Sequence, residues 1–275
     1  MSEERGAAFK AFEASGWSAR AGTYDALMSR ATGFAIAPLL DLVRPGDRVL
    51  DVGCGPGTLA AAAADRGAQV TGVDLAEGMV AEARRRHPGL TFLQADAEAL
   101  PFPDGAFDVA LGAFLVNHTP DAEAAVRELR RVARTVALAA WGPEDEVAFL
   151  ALPAAAAAGL GGVPDGPDSE RYASKDALAA LLARADDEPD PRAGERAAPP
   201  ARDVAVRVVR DALRVDSLDA LWDGVRGGTV RTAARIEAAS DEERARVRER
   251  LAELAEPHRT GDGYALPLTI LVART

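Results

Sequence analysis

Val49-Leu50-Asp51-Val52-Gly53-Cys54-Gly55-Pro56-Gly57-Thr58 decides how this chain is read. A short aliphatic run, Arg48 to Val52, has the pattern of a buried strand and ends in three alternate glycines. Thr58 to Arg66 then reads as an alanine-rich helix. Glycine lets a backbone turn tightly and approach a ligand with no side chain in the way. The helix start that follows presents free amides to a negative group. Several cofactor classes use such a turn. A dinucleotide fingerprint needs glycine at the sixth place of G-x-G-x-x-G. That place is Thr58 counted from Gly53 and Ala60 counted from Gly55, so neither register fits. No stretch matches the phosphate loop G-x-x-x-x-G-K-S/T.

Working outward, strand and helix patterns alternate. Gln69 to Val73 reads as a second strand and Ala76 to Arg86 as a helix closed by Pro88 and Gly89. Thr91 to Ala95 and Phe107 to Leu111 read as the third and fourth strands. Asp121 to Ala133 is an amphipathic helix with Asp121 as its cap, and Thr135 to Trp141 a fifth strand. Strands separated by helices predict right-handed crossovers and a parallel sheet covered on both faces. In the last third, Ser174 to Ala185 is helical with Ser174 as N-cap, and Asp203 to Arg210 reads as a sixth strand. Leu218 to Val225, Val230 to Ala239 and Asp241 to Glu256 read as helices, and Tyr264 to Ala273 as a seventh strand. Asp186 to Arg202, with four prolines and little that is bulky, reads as a mobile surface loop. The expected organisation is a mostly helical N-terminal segment, 1–45; a core, 46–142, that carries the glycine turn; and a segment 143–275 that completes the sheet and folds helices over its edge as a cover.

The 275 residues are 48% hydrophobic and 27% charged, the range of a globular protein rather than a disordered or fibrous one. A net charge of −11 makes nucleic acid and anionic membrane poor partners. The apolar run Val147 to Leu160 contains Pro153 and is too short to span a bilayer. Met1 to Phe9 lacks the apolar stretch of a secretion signal. The single cysteine, Cys54, excludes an intrachain disulfide and points to a reducing cytoplasm. Composition leaves the oligomeric state open.

Two further motifs follow the glycines. Asp74, in Val73-Asp74-Leu75, stands about 20 residues on, where a carboxylate accepts both hydroxyls of a ribose; it also suits capping of the helix from Ala76. In Gln94-Ala95-Asp96-Ala97-Glu98, Asp96 is placed to accept from an exocyclic amine and the Ala97 amide to meet a ring nitrogen. Together these residues closely resemble the class I S-adenosylmethionine-dependent methyltransferases, in the small-molecule branch related to ubiquinone-biosynthesis enzymes. The resemblance runs from Arg48 to Trp141 through Asp51-x-Gly53-x-Gly55-x-Gly57, Asp74, Asp96-Ala97 and Phe107-Asp108. It extends loosely to Thr260-Gly-Asp-Gly-Tyr264 before a terminal strand. It implies an α/β fold: a doubly wound, mostly parallel sheet of seven strands, the last antiparallel, with a helical cover. It implies S-adenosyl-L-methionine as cofactor and a small-molecule acceptor as partner. Gly53, Gly55 and Gly57 would approach the methionine moiety and Asp51 would place its amino group. Asp74 would hold the ribose, Leu75 and Met79 would pack on the adenine, and Asp96 and Ala97 would bind its edge. Tyr24, Cys54, Glu98 and Phe114 complete the expected cofactor contacts. Two departures stand out. The family's Pro-Gly-Gly turn before the fifth strand is replaced by Arg134-Thr135, and its Gly-Phe pair near Ala185 by the proline-rich stretch.

Among the remaining candidates, Cys54 reads as a small packing residue beside its cofactor role. His87 closes a polar helix and reads as a solvated residue, and His258 lies in the cover region, within reach of a substrate. His118, in Asn117-His118-Thr119-Pro120, directly follows the fourth strand, the edge where open α/β sheets bind ligands. It is the candidate catalytic residue, a general base; its alternative is to line the cleft or cap the next helix. Trp17 and Tyr24 are either packing or cofactor contacts, and Phe114, Trp141, Phe149 and Trp222 either core or acceptor pocket. Glu144-Asp145-Glu146 reads as a solvated helix start. No cluster has metal-ligand spacing, and no Ser-His-Asp motif is present. The expected function is methyl transfer to a small, partly apolar molecule. A cofactor-binding scaffold or regulator without transfer, or a nicotinamide-dependent oxidoreductase, are the rival classes.

Overall fold

A computed structural model describes residues 3–164, 166–168, 170–184 and 204–275. Its strands are β1 (Arg48–Val52), β2 (Gln69–Asp74), β3 (Thr91–Gln94), β4 (Phe107–Ala113), β5 (Ala133–Trp141), β6 (Ala205–Val215), a two-residue β7 (Arg259–Thr260) and β8 (Gly263–Arg274). The helices are α1 (Glu3–Arg20), α2 (Met28–Thr32), α3 (Ile36–Leu40), α4 (Thr58–Asp65), α5 (Glu77–Arg86), α6 (Ala122–Val132), α7 (Ala148–Ala156), α8 (Lys175–Arg184), α9 (Leu218–Gly228), α10 (Arg231–Ala238) and α11 (Asp241–Ala255). Seven strands lie in the order β3-β2-β1-β4-β5-β8-β6, with β7 pairing on β8. From β3 to β5 every pairing is parallel; β8 runs antiparallel to both β5 and β6. This is the expected α/β architecture with its last strand reversed. The proline-rich stretch Asp186 to Arg202 lies outside the described residues. No helix among the described residues is long and apolar enough to cross a membrane.

Side chains alternate across a strand, so a sheet covered on both sides needs two apolar sets in one run. Val49, Val109, Leu111, Ala137 and Ala139 enter one core; Leu50, Ala110, Val136, Leu138 and Ala140 enter the other. The first core lies under α2, α3, α4, α9 and α11, the second under α6 and α8. From Val136 to Trp141, β5 is buried at every position. The edge strands β3 and β6 are exposed at many positions, whereas the inner strands are exposed mainly near their ends.

Helix caps fall where the sequence placed them: the Asp121 carboxylate accepts from the Ala124 amide at 2.9 Å and the Ser174 hydroxyl from the Ala177 amide at 3.1 Å. The main shift concerns β5, which begins at Ala133 rather than Thr135. Helix α6 stops at Val132, and Ala133 is already extended at φ −133 and ψ 152, so helix passes to strand with no loop. That is how the chain does without a Pro-Gly-Gly turn. Strand β4 likewise runs on to Ala113, two residues beyond the apolar run, and β6 reaches Val215. The Asp108 motif residue sits at the sheet edge remote from the glycines. It pairs with the Arg48 guanidinium and amide (3.0–3.1 Å), which hold its carboxyl down at about pKa 2.

Leu138 is fully buried at the centre of β5. Leu138→Ala should cost about 2–5 kcal/mol through lost contacts and the cavity left behind. Urea titration should show a lower midpoint with an unchanged slope.

Candidate active site

The strand order reverses between β1 and β4, and a crevice opens at the carboxyl ends of strands at such a point. Two acceptors at the end of β2 shape it. The Val73 carbonyl takes the amides of both Gly53 (2.8 Å) and Cys54 (3.0 Å). The Asp74 carboxylate takes the Gly55 amide on one oxygen (2.9 Å) and the Ala76 amide on the other (2.8 Å). Gly53, Gly55 and Gly57 all adopt positive φ, at 72, 52 and 87 degrees. At Gly57 a Cβ would also meet His87 Cδ2 at 2.9 Å and Phe92 Cζ at 3.0 Å. His87 therefore packs beneath the turn instead of standing free in solvent.

A cleft partly open to solvent follows, with about 900 Å³ of space when the solvent at its mouth is included. It brings together ten of the expected residues: Tyr24, Gly53, Gly55, Asp74, Leu75, Met79, Asp96, Ala97, Phe114 and His118. Trp17 and Trp141 line it too. Asp51 and Cys54 line a smaller adjoining hollow that shares Tyr24, Gly53, Gly55 and Phe114 with the cleft. Gly57 and Glu98 line neither: Gly57 caps α4, and Glu98 binds the Lys10 ammonium at 2.6 Å and the Asp121 amide at 2.9 Å. Phe149 is buried beneath Trp141, Trp222 packs in the core, and His258 lies outside the cleft.

Asp51 is 1% exposed, and neither carboxylate oxygen has a hydrogen-bond partner. Burial first, and the negative Asp74 second, push its pKa up to about 7; the Ala60 amide opposes them without reaching bonding geometry. Burial also raises Asp74, although the Ala76 and Gly55 amides work against it.

Helix α1 roofs the cleft. Gly78 lets it lie close on α5, since a Cβ there would fall 2.6 Å from the Ser18 carbonyl oxygen. Lys10, Glu13, Ala14 and Trp17 all line the cleft, at the i, i+3, i+4, i+7 spacing of one helical stripe. Lys10 binds Asp96 and Glu98, each at 2.6 Å. Glu13 Oε2 accepts from Trp17 Nε1 at 2.9 Å and faces His118 Nδ1 at 2.9 Å. Lys10 and Glu13 were missed in the sequence; their common stripe with Trp17 was the available signal.

At the end of β4, Phe114 holds φ 59, the only positive φ outside glycine among the described residues. Its amide donates to the Ala139 carbonyl at 2.7 Å, and its ring stacks on Trp141 with centroids 4.0 Å apart. Both rings line the cleft.

A glycine turn, carboxylates at or just past the ends of three successive strands and a reversed last strand are together the features of the class I S-adenosylmethionine-dependent methyltransferase fold. The cleft residues fit that cofactor. Asp51 is an orphaned buried carboxyl beside the turn, suited to ionise against an amine, and each Asp74 oxygen retains acceptor capacity for hydroxyls. Leu75, Ala76, Met79 and Ala97 supply an apolar wall. Residues 49–135 match the family model described as a methyltransferase domain. Over 110 residues the chain is 44% identical to a demethylmenaquinone methyltransferase of Beutenbergia cavernae, covering 40% of this chain and 44% of that one. Over 161 residues it is 35% identical to a malonyl-[acyl-carrier protein] O-methyltransferase of Serratia marcescens, 58% of this chain and 60% of that one. The chain thus spans about half the length of these curated relatives. Among solved structures, the YcgJ protein of Bacillus subtilis shares the fold at a TM-score of 0.53 and 22% identity, over 88% of this chain and 96% of that one.

The Asp51 carboxyl is raised in the folded state from an ordinary value near 3.8 to about 7. Its folded form is therefore favoured while protonated, and this advantage is lost as pH rises through 7. Asp51→Asn should stabilise the ligand-free protein at pH 8 and leave it nearly unchanged at pH 4, as melting curves at both pH values will show. The same variant should weaken S-adenosylmethionine binding.

Proposed function

We propose that this chain transfers a methyl group from S-adenosylmethionine to a small, partly apolar acceptor. The observation that carries this reading is one cleft joining Asp74, Asp96 and the glycine turn to the Phe114–Trp141 stack and His118. Asp51 would receive the cofactor's amino group, Asp74 the ribose hydroxyls, and Asp96 and Ala97 the adenine edge, with Leu75 and Met79 against its face. Tyr24, Cys54, Gly53 and Gly55 complete this shell, and Gly57 supports it from behind as the cap of α4. Glu98 would act through Lys10, because its carboxylate meets Lys10 rather than the cleft. The bound cofactor supplies an electrophilic methyl carbon on a sulfonium. The protein's part is alignment, which supplies much of the rate when two reactants share one cleft.

The relatives' names describe a demethylmenaquinone and a malonyl-carrier acceptor. The lining favours a neutral, ring-like acceptor for this chain. Its one lysine is already paired with two carboxylates, no arginine lines the cleft among the described residues, and two stacked aromatic rings do. An acceptor carboxylate would find no free cation there. His118 would take the proton from an acceptor hydroxyl. We assign the N-terminal segment 1–45 to covering the cofactor, 46–142 to holding it, and 143–275 to completing the sheet and covering the acceptor. A buried single thiol, Cys54, supports work in a reducing cytoplasm.

S-adenosylmethionine or its demethylated product should raise the melting temperature, and NAD should not. Asp74→Ala should weaken binding by about 1.5–3 kcal/mol and also lower the melting temperature of the free protein, since Asp74 ties two turns. Absence of heat with either sulfur compound at millimolar concentration would overturn the proposal. Radiolabelled cofactor with a cell extract should label the acceptor; binding without any labelling would favour a scaffold. His118→Ala should lower turnover by about 10²–10⁴-fold with little change in cofactor affinity. A loss below about tenfold would mean that alignment alone drives transfer.

A further inference from the structure

We propose that Glu13, from helix α1, is the positioning residue of a Glu13–His118 pair. It binds the Nδ1 hydrogen of the imidazole so that Nε2 presents its lone pair to the acceptor. This rests on the function proposed above and adds to it the group that prepares the base.

Glu13 is 2% exposed, a costly place for a carboxylate unless it is well paired. Its Oε2 meets Trp17 Nε1 and His118 Nδ1, each at 2.9 Å, and Arg231 Nε stands 4.0 Å from Oε1. The Trp17 ring packs edge-on against the imidazole, centroids 5.2 Å apart at 85 degrees, so the ring is held by a plane as well as by a bond. Burial works to raise the Glu13 pKa, but the charge of His118 when its ring is protonated and its hydrogen bond, then Arg231 and Trp17, outweigh it and hold it below its ordinary value. An ionised carboxylate only accepts, so the hydrogen between the two residues belongs to Nδ1. In the neutral ring Nε2 is then the bare nitrogen, the reverse of the tautomer that a free histidine side chain favours.

In the step this serves, the acceptor's O–H bond breaks. Its proton goes to Nε2, and its electron pair stays on oxygen, ready to attack carbon. The resulting imidazolium keeps Glu13 on its other nitrogen and later yields its proton to water. The carboxylate comes from the helix that roofs the cleft and that α10 braces through Arg20 and Glu237, 3.0 Å apart. The base is therefore complete only while α1 is seated.

The test begins with the full-length, ligand-free wild type, whose histidine ¹⁵N resonances report the tautomer directly. His118 should carry its hydrogen on Nδ1, and Glu13→Ala should return it toward Nε2–H. In turnover, the near-isosteric Glu13→Gln should lower kcat by at least about tenfold with KM little changed, and Glu13→Asp should restore part of the loss. In a His118→Ala background, Glu13→Gln should cost nothing further. An Nε2–H tautomer in the wild type, or a Glu13→Gln cost undiminished without His118, would overturn the proposal and leave the carboxylate as a pin for α1. Failure of the wild type to bind S-adenosylmethionine would instead bring down the functional reading, and is distinguished because the tautomer is read without cofactor.

Discussion

Everything at the carboxyl edge of the sheet depends on two adjacent acceptors at the end of β2. The Val73 carbonyl gathers the first two amides of the glycine turn, and the Asp74 carboxylate joins that turn to the start of α5. A loop of alternate glycines has many conformations to lose on folding. Three hydrogen bonds donated to one neighbouring strand end select a single one, open toward the switch point, and a fourth, from Ala76, ties α5 to the same carboxylate. The same bonds explain how Asp74 serves two ends. A carboxylate has about four acceptor positions, and the two amides occupy only part of that capacity.

Much of this was legible in the sequence because it is local. The β1 apolar run, the glycines, Asp74 and the cap at Asp121 each follow from residues within a few positions of one another. The strand boundaries were less so. β5 begins at Ala133 because its pairing with β4 extends the strand back to the last turn of α6, and no propensity records that partner. His87 looked like a surface residue from its own helix; its packing under Gly57 is a tertiary fact. Asp108 belonged to a recognisable motif but lies at the far edge of the sheet, where it ties β1 to β4 through Arg48.

The N-terminal helix shows the same limit in sharper form. Lys10 and Glu13 are ordinary residues of a polar helix until α1 is laid across the strand ends. There, one becomes the counter-ion of Asp96 and Glu98, and the other the partner of His118. The cleft gathers several carboxylates, which suits a cationic guest and disfavours an anionic one. Charge balance in the free protein is supplied by groups from outside the core, Lys10 and Arg231, so the roof contributes electrostatics as well as shape.

Phe114 bears on how this protein can evolve. A phenylalanine at φ 59 occupies a region that asparagine or glycine takes more readily, at a cost on the order of 1–3 kcal/mol. Selection for heat resistance alone would drift toward glycine at this position and dissolve the aromatic stack in doing so. Keeping the ring means accepting a weaker fold. Lineages that change acceptor should therefore vary here first, whereas those that keep the same acceptor should hold the strain and gather compensating stability elsewhere, in helices such as α11 that lie clear of the cleft.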